Sequence, residues 1–399
     1  MTPAVRILAV ADSDSNLKWA AAVLERLGSG SERFSSSIVI VRTQLAPSPS
    51  QTESALSGTS LTAPPVLGPA ALRARIRQED PDVLLVAAVG PISDFVARLA
   101  MRATDRRPVL LAGLPGIALT GITRAAQWRS WADAFVVHSR REVADFSQAF
   151  AAVETNPAVV LMRLPFLPES PLEPAPVRRV VFAPQSKAPA SRDDRIALLD
   201  GLARLAAEGF EVVVKLRASA GERQTHNERY PYDALWLAEH SRLGHPGDRL
   251  VFGEGPMSAW LAPDTALVTV SSTAAIESLA LGLPAVFVSD FGLSEELLNG
   301  SFADSGCMLL VADIAEELRT GGPVPAAEWL ERNGLHRDPS TLPEVLDALA
   351  ARRRSGELER PQSIRIRGLG SALRTMLRVR LPLWVHRRLH ATRSRRPSS

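Results

Sequence analysis

Ser271, Ser272 and Thr273 stand together at the end of the apolar run "ALVTVSS", and Glu277 follows one turn further on. Read along the chain, a strand ends at Ser271, a helix opens near Thr273, and Gly282 with Pro284 closes it before the next apolar run. The start of a helix that follows a strand offers backbone N–H groups and a positive dipole end, which suit phosphate. The three hydroxyls add donors there, and a carboxylate at Glu277 is placed to accept hydrogen bonds from a ribose. The plainer use of the same residues is helix capping, with Glu277 complementing the dipole.

A second group closes the first apolar run, "VRILAVA": Asp12, Ser13, Asp14, Ser15, Asn16 and Lys18 in "ADSDSNLK". A carboxylate at a strand end can take a proton from a hydroxyl nucleophile. An Asp/Ser-rich turn that merely caps the following helix has the same appearance. Further on, "VVFAPQSK" puts Gln185, Ser186 and Lys187 after a strand, and "EVVVKLRA" puts Lys215 and Arg217 after another. Either cation pairs well with phosphate. "VFGEGPM" places Gly253, Gly255 and Pro256 in a loop, and "GLPGIALTGITRAAQWRS" carries Gly116, Gly121, Arg124 and Arg129 ahead of His138 in "AFVVHS". A solvated helix face explains any one of these arginines, and a structural role explains the histidine.

The seven histidines show neither HExxH nor paired His/Cys spacing, and Asp12-Ser13-Asp14 is the one DxD-like triplet, so no metal is expected. Cys307 enters an apolar run and reads as packing.

These residues need a scaffold, and the rhythm of the chain supplies one. Short β-rich runs ("VRILAVA", "SIVIVR", "DVLLVAAV", "PVLLAGL", "AFVVHS") alternate with amphipathic stretches, which predicts a parallel sheet with crossover helices. The five prolines of "LPFLPESPLEPAPV" (164–177) forbid helix interior and central strand, and mark a linker. After it the rhythm restarts through "VVFAPQS", "EVVVKLRA", "RLVFGE", "ALVTVSS" and "PAVFVSD". The expected organisation is a doubly wound α/β domain over 1–163, the linker at 164–177, and a second such domain over 178–350. A basic tail follows over 351–399. Two such domains leave a cleft where ligands bind beyond the carboxyl ends of the strands. The stretch "LAPSPSQTESALSGTSLTAPP" lacks periodicity and is expected to be a flexible loop.

At 399 residues and 46% hydrophobic content the chain suits two soluble domains. One cysteine excludes an internal disulfide framework and fits a reducing compartment, so cytoplasm is expected. No signal-peptide pattern or membrane-length apolar run is present. The net charge of +3 conceals a tail in which fourteen arginines face two glutamates from Arg352 onward. Those arginines are interleaved with Leu, Met, Val and Trp384, a pattern that suits an anionic membrane surface or, alternatively, a last helix crossing back onto the first domain. No nucleic-acid module accompanies them.

The segment "SSTAAIESLALGLP" resembles the donor site of GT-B glycosyltransferases, especially the capsule and polysialic-acid branch, and also the CDP-glycerol transferases of teichoic acid synthesis. Together with "VADSDSNLKWA" and "FGEGPMSAWL", it is similar to an actinobacterial family described as putative glycosyltransferases, over most of the chain to about residue 345. The resemblance implies two Rossmann-like domains and a nucleotide-sugar donor at Ser271, Ser272, Thr273, Glu277, Lys215, Arg217, Gln185, Ser186, Gly255 and Pro256. It places a saccharide or lipid-linked acceptor near Ser13, Ser15, Lys18, Gly116, Arg124 and His138. The base would be Asp14 by first choice and Asp12 by second, with no cofactor beyond the donor. The capsule enzymes' His-Pro pair is replaced here by "VVVKLRA", which leaves CMP, CDP and UDP open. A glycerophosphotransferase, a nucleotide-sugar epimerase and an inactive scaffold are the alternatives.

Overall fold

The structure is a computed structural model that describes residues 3–28, 32–118, 121–168, 170–185, 188–216, 228–359 and 361. It divides into two compact units.

The first unit takes the chain up to Phe166 and regains it from Asp338. Its strands are β1 (Val5–Ala11), β2 (Phe34–Val41), β3 (Val66–Leu67), β4 (Val83–Ala87), β5 (Val109–Gly113), β6 (Ala134–Val137) and β7 (Ala158–Leu161). Helices α1 (Asp14–Gly28), α2 (Pro49–Leu56), α3 (Pro69–Glu79), α4 (Gly90–Ala100), α5 (Ile122–Trp128) and α6 (Arg140–Ala151) connect them. All strands pair in parallel, in the order β3-β2-β1-β4-β5-β6-β7. Burial on both faces explains why β4 and β5 are continuous apolar runs with every residue buried.

The second unit is built on Leu167–Arg337. Its elements are β8 (Arg179–Phe182), α7 (Arg192–Ala207), β9 (Glu211–Lys215), α8 (Tyr232–Glu239), β10 (Val251–Gly253), β11 (Thr265–Thr269), α9 (Ala274–Ala280), β12 (Ala285–Val288), β13 (Met308–Leu309), α10 (Ile314–Arg319) and α11 (Ala327–Arg332). This sheet is also parallel, in the order β10-β9-β8-β11-β12-β13. Each sheet therefore reverses its winding once, between β1 and β4 in the first unit and between β8 and β11 in the second.

One stretch differs from the sequence reading, and at another the helix that crosses back begins ahead of the expected tail. The loop expected at 45–65 contains α2, because Ser48 and Gln51 form a reciprocal capping box with Pro49 at the first turn. Ala55 and Leu56 then bury into the first core. At the other end, α12 (Leu342–Ser355) joins the first unit, where Leu342, Leu346 and Ala350 enter its hydrophobic core.

The arginines of α12's last turn fix that return. Arg353 bonds Asp80 and Asp82, and Arg354 bonds Asp82 at 2.8 Å as well as the carbonyls of Pro3 and Ala4. Arg107 bridges Asp133 and the carbonyl of Glu359. This part of the basic tail is bound to acidic groups at the amino ends of the strands.

Candidate functional site

In parallel α/β sheets the strand-end crevice opens where winding reverses. In the second unit that point is bridged by one pair of side chains. The Gln185 amide beyond β8 donates to the Ser271 carbonyl beyond β11 at 2.5 Å, while the Ser271 hydroxyl reaches Gln185 Oε1 and the Leu297 carbonyl, each at 2.5 Å. The hydroxyl has one proton and donates it to one of these two oxygens at a time. Ser271 is 1% exposed, so its hydroxyl is committed to holding three loops together. Ser271, expected among the donor-binding residues, thus has its hydroxyl engaged within the protein, and Gln185 is likewise engaged through its side chain.

The residues that remain at this edge with part of their surface open are Ser272, Thr273 and Glu277, all half-buried. α9 begins at Ala274, whose amide donates to Ser272 Oγ at 3.2 Å, and the amides of Ala275 and Ile276 bond the carbonyls of Ser272 and Thr273. The first amides of α9 are thus satisfied locally, and the helix start offers less to an anion than its sequence suggests.

Lys215 ends β9, half-buried and in register with Gly253 of β10. Gly253 lies under Trp260: a Cβ there would sit 2.4 Å from the indole. Beyond it Gly255 turns the chain at φ +102°, a conformation that excludes other residues, and Pro256 is half-buried. Ser186 and Arg217 lie outside the described residues.

The first unit repeats the bridging device. Asp12, 0% exposed, follows β1, and its Oδ2 accepts the amide of Val89 beyond β4 at 3.0 Å. Its Oδ1 accepts Asn16 Nδ2 at 2.8 Å, and the same amide donates to Ser13 Oγ at 3.0 Å. Burial raises the Asp12 carboxyl above its ordinary value, opposed by the Val89, Asn16 and Ser13 hydrogen bonds and by the charge of Arg129. Arg129 is buried too. It donates to the carbonyl of Ala88 at 2.8 Å, its Nε meets no partner, and burial pushes its pKa down to about 10 against the attraction of Asp12. Asp12 and Arg129 therefore grip adjacent backbone groups of the β4–α4 turn.

With both carboxylate oxygens occupied and no open surface, Asp12 is ill placed to receive a substrate proton, and Ser13 is buried with it. Asp14, the first residue of α1, is half-buried, as are Ser15 and Lys18. Lys18 Nζ stands 4.2 Å from the centroid of the Phe166 ring. The structure thus brings Asp14, Ser15 and Lys18 to one edge, at the start of α1.

His138 belongs elsewhere. It is 1% exposed beyond β6, where Trp19 Nε1 donates to its Nε2 at 2.8 Å and its Nδ1 lies 2.8 Å from the Met162 carbonyl. It packs the core of the sheet edge and is closed to an acceptor. Gly116 is half-buried in the loop after β5, and Arg124 is exposed on α5.

Sequence reasoning missed Arg195. It is buried in α7 and bonds the carbonyls of Gln185, Pro189 and Tyr230. The signal was present: Arg195 shares the helical stripe of Leu198, Leu199 and Leu202, where a cation is out of place. Among the described residues no group of three or more His, Cys, Asp or Glu is arranged to hold a metal ion, and no helix is long and apolar enough to cross a membrane.

Residues 7–349 match a family described as "Putative glycosyltransferase (DUF6716)". No curated protein matches the sequence. Among solved structures, the chain is similar to a protein of Listeria monocytogenes described as a putative UDP-N-acetylglucosamine 2-epimerase, at 12% identity and TM-score 0.55, covering 90% of this chain and 99% of that one. It is also similar to S. aureus MnaA in a co-structure with UDP, at 11% identity and TM-score 0.53, covering 89% and 98%. Likeness at this identity shows the fold alone: two Rossmann-like α/β units of the GT-B class.

Proposed function

The chain belongs to the glycosyltransferase family that its residues 7–349 match, and on that premise we propose that it moves a sugar from a nucleotide-sugar donor to a saccharide or lipid-linked acceptor of the cell envelope, without a metal ion. The observation that carries this reading is the carboxyl edge of the second sheet. There the Gln185–Ser271 bridge holds the reversal point closed from below while Ser272, Thr273 and Glu277 stay partly open beside it.

In this reading the hydroxyls of Ser272 and Thr273 and the cations of Lys215 and Arg217 oppose the donor phosphates. Glu277 accepts from the ribose, and Gly255 with Pro256 borders the base. Ser271, Gln185 and Ser186 shape the edge. In the first unit Asp14 takes the proton of the acceptor hydroxyl as its oxygen bonds the anomeric carbon, and the bond from that carbon to the nucleotide phosphate breaks with its electron pair leaving on the phosphate. Ser15, Lys18, Gly116 and Arg124 orient the acceptor. The arginine-rich segment beyond Pro361, which lies outside the described residues, would hold the enzyme on an anionic membrane surface at the inner face of the plasma membrane.

A thermal-shift screen tests this. CMP, CDP, UDP, GDP and their sugar or glycerol conjugates are added at millimolar concentration to the wild type and to Ser272→Ala/Thr273→Ala. A ligand that binds only the native state raises the melting temperature. Stabilisation by one nucleotide sugar that the double variant loses is the expected result. No stabilisation by any of them overturns the reading, a response confined to CDP-glycerol turns it into glycerophosphate transfer, and acceptor-free conversion of the donor sugar turns it into epimerisation.

A further inference from the structure

Arg195 is 1% exposed in the first turn of α7, yet every side of its guanidinium is occupied by the loops at the carboxyl edge of the second sheet. Nε donates to the Pro189 carbonyl at 2.8 Å, and Nη1 to the Tyr230 carbonyl at 2.7 Å and to Glu228 Oε1 at 2.5 Å. Nη2 donates to the Gln185 carbonyl at 3.1 Å, and the guanidinium carbon lies 4.8 Å from the centroid of the buried Tyr232 ring.

Stability is a weak reason to bury this ion pair, since apolar side chains of like volume commonly replace such pairs without loss. The choice of arginine is geometric. A planar fork can bond acceptors in several directions at once, whereas an ammonium donates from one point.

What the fork bonds is the rear of the bridge described above. Gln185 is held by its carbonyl to Arg195 and by its side chain to Ser271, and Ser271 continues to Leu297. Glu228, Arg195, Gln185, Ser271 and Leu297 form one unbroken polar chain. It links the loops that follow β9, β8, β11 and β12, the four central strands of this six-stranded sheet. Ser272 and Thr273 continue directly from its fourth member.

We propose that Arg195 is the positioning residue of the donor site: acting through Gln185 and Ser271, it sets the spacing of the strand-end loops at which a nucleoside diphosphate or monophosphate binds. This rests on the donor-site reading given above. Arg195 makes no contact with the nucleotide in this scheme, so its loss alters binding geometry and leaves the proton transfer at Asp14 intact.

The test uses the full-length protein, with the nucleotide that gives the largest thermal shift and its sugar conjugate as probes. Arg195→Lys keeps the charge and loses the fork. It is expected to fold, to raise the donor KM and the nucleotide Kd about tenfold, and to leave kcat within about threefold, the split expected when geometry alone is disturbed. In a double-variant cycle with Gln185→Ala the two losses should overlap, because both break the same chain. A folded Arg195→Lys with unchanged donor KM, or losses that multiply independently in the cycle, overturns the proposal. Should Arg195→Lys not fold, Arg195→Met/Glu228→Gln removes both charges together and is read in the same way. If the wild type itself binds no nucleotide, the donor-site reading fails and this proposal falls with it. If the wild type binds and the variants bind equally well, only the role of Arg195 fails.

Discussion

The carboxylate of Asp12 accepts the amide of Val89 at 3.0 Å, joining the ends of β1 and β4 at the one place where the strand order of the first sheet reverses. Gln185 and Ser271 join β8 and β11 at the equivalent place in the second sheet. Backbone groups at such a point have lost their neighbouring strand's partners, and a short polar side chain satisfies them. In both units the residue nearest the reversal is thereby withdrawn from the solvent, and the residues that follow it carry the open functional groups.

Asp12→Asn should therefore act on stability. The amide would turn a donor towards either the Val89 N–H or the Asn16 Nδ2, setting donor against donor in a buried place, at a cost of about 1–3 kcal/mol. Calorimetry would register this as a lowered melting temperature of the unit that holds Asp12. An unchanged melting profile with lost transfer activity would instead make Asp12 a reacting group.

Asp14→Asn should show the reverse. The carboxylate is half-buried at the first turn of α1, where its removal costs only about 0.3–1 kcal/mol of helix-end interaction. Loss of a general base slows transfer by roughly 10²–10⁴. The measurement is kcat with donor and acceptor saturating, paired with the melting temperature. A variant with wild-type kcat removes Asp14 from the mechanism.

The two doubly wound sheets were legible in the sequence because buried parallel strands are unbroken apolar runs, and "DVLLVAAV" or "ALVTVSS" admits few other readings. Helix α2 was written in the sequence as a capping box, Ser48 with Gln51, but a surrounding run of Ser, Thr and Pro hid it. Side-chain commitments were not legible. Whether Ser271 faces a phosphate or Gln185 depends on which strand lies beside β11, and adjacency of β8 is a property of topology, not of spacing. The same holds for Asp12, whose partner Val89 is distant in sequence and becomes its neighbour only when β4 pairs with β1.

The return of α12 predicts an acid sensitivity. Asp82 is 1% exposed and receives Arg353 and Arg354 from the last turn of that helix, with the Arg6 amide at 3.0 Å. Burial pushes its carboxyl up, but the Arg354 hydrogen bond, the Arg6 amide and the charges of Arg354 and Arg353 outweigh it and hold it below the ordinary value of 3.8. A depressed carboxylate contributes stability that is present above the unfolded value and lost as the pH falls through the folded one. Asp82→Asn should lower the melting temperature near neutral pH and flatten the decline below about pH 4. Arg353→Ala/Arg354→Ala, which leaves the buried Asp82 with only the Arg6 amide and the Arg6 guanidinium at 3.7 Å, should cost more, about 3 kcal/mol. A melting temperature in that double variant equal to wild type would show that α12 is held by its apolar face alone.

His138 predicts a second pH dependence at milder acidity. Trp19 donates its N–H to Nε2, which leaves the ring proton of the neutral imidazole on Nδ1, towards the Met162 carbonyl; a second proton on Nε2 would meet the Leu114 carbonyl at 3.0 Å but confront the indole N–H. Burial lowers the imidazole below its ordinary 6.5, against the charge of Glu142 and the carbonyls of Met162 and Leu114. The unfolded chain therefore binds this proton more readily, and the first unit loses stability as the pH drops below 6.5 towards the lower folded value. His138→Gln keeps an acceptor within reach of Trp19 and removes the titration. Its melting temperature should lie below wild type at about pH 7.5 and approach it as the pH falls to about 5. Two curves that stay parallel over that range would mean that His138 carries its proton in the folded core, and that Trp19 bonds elsewhere.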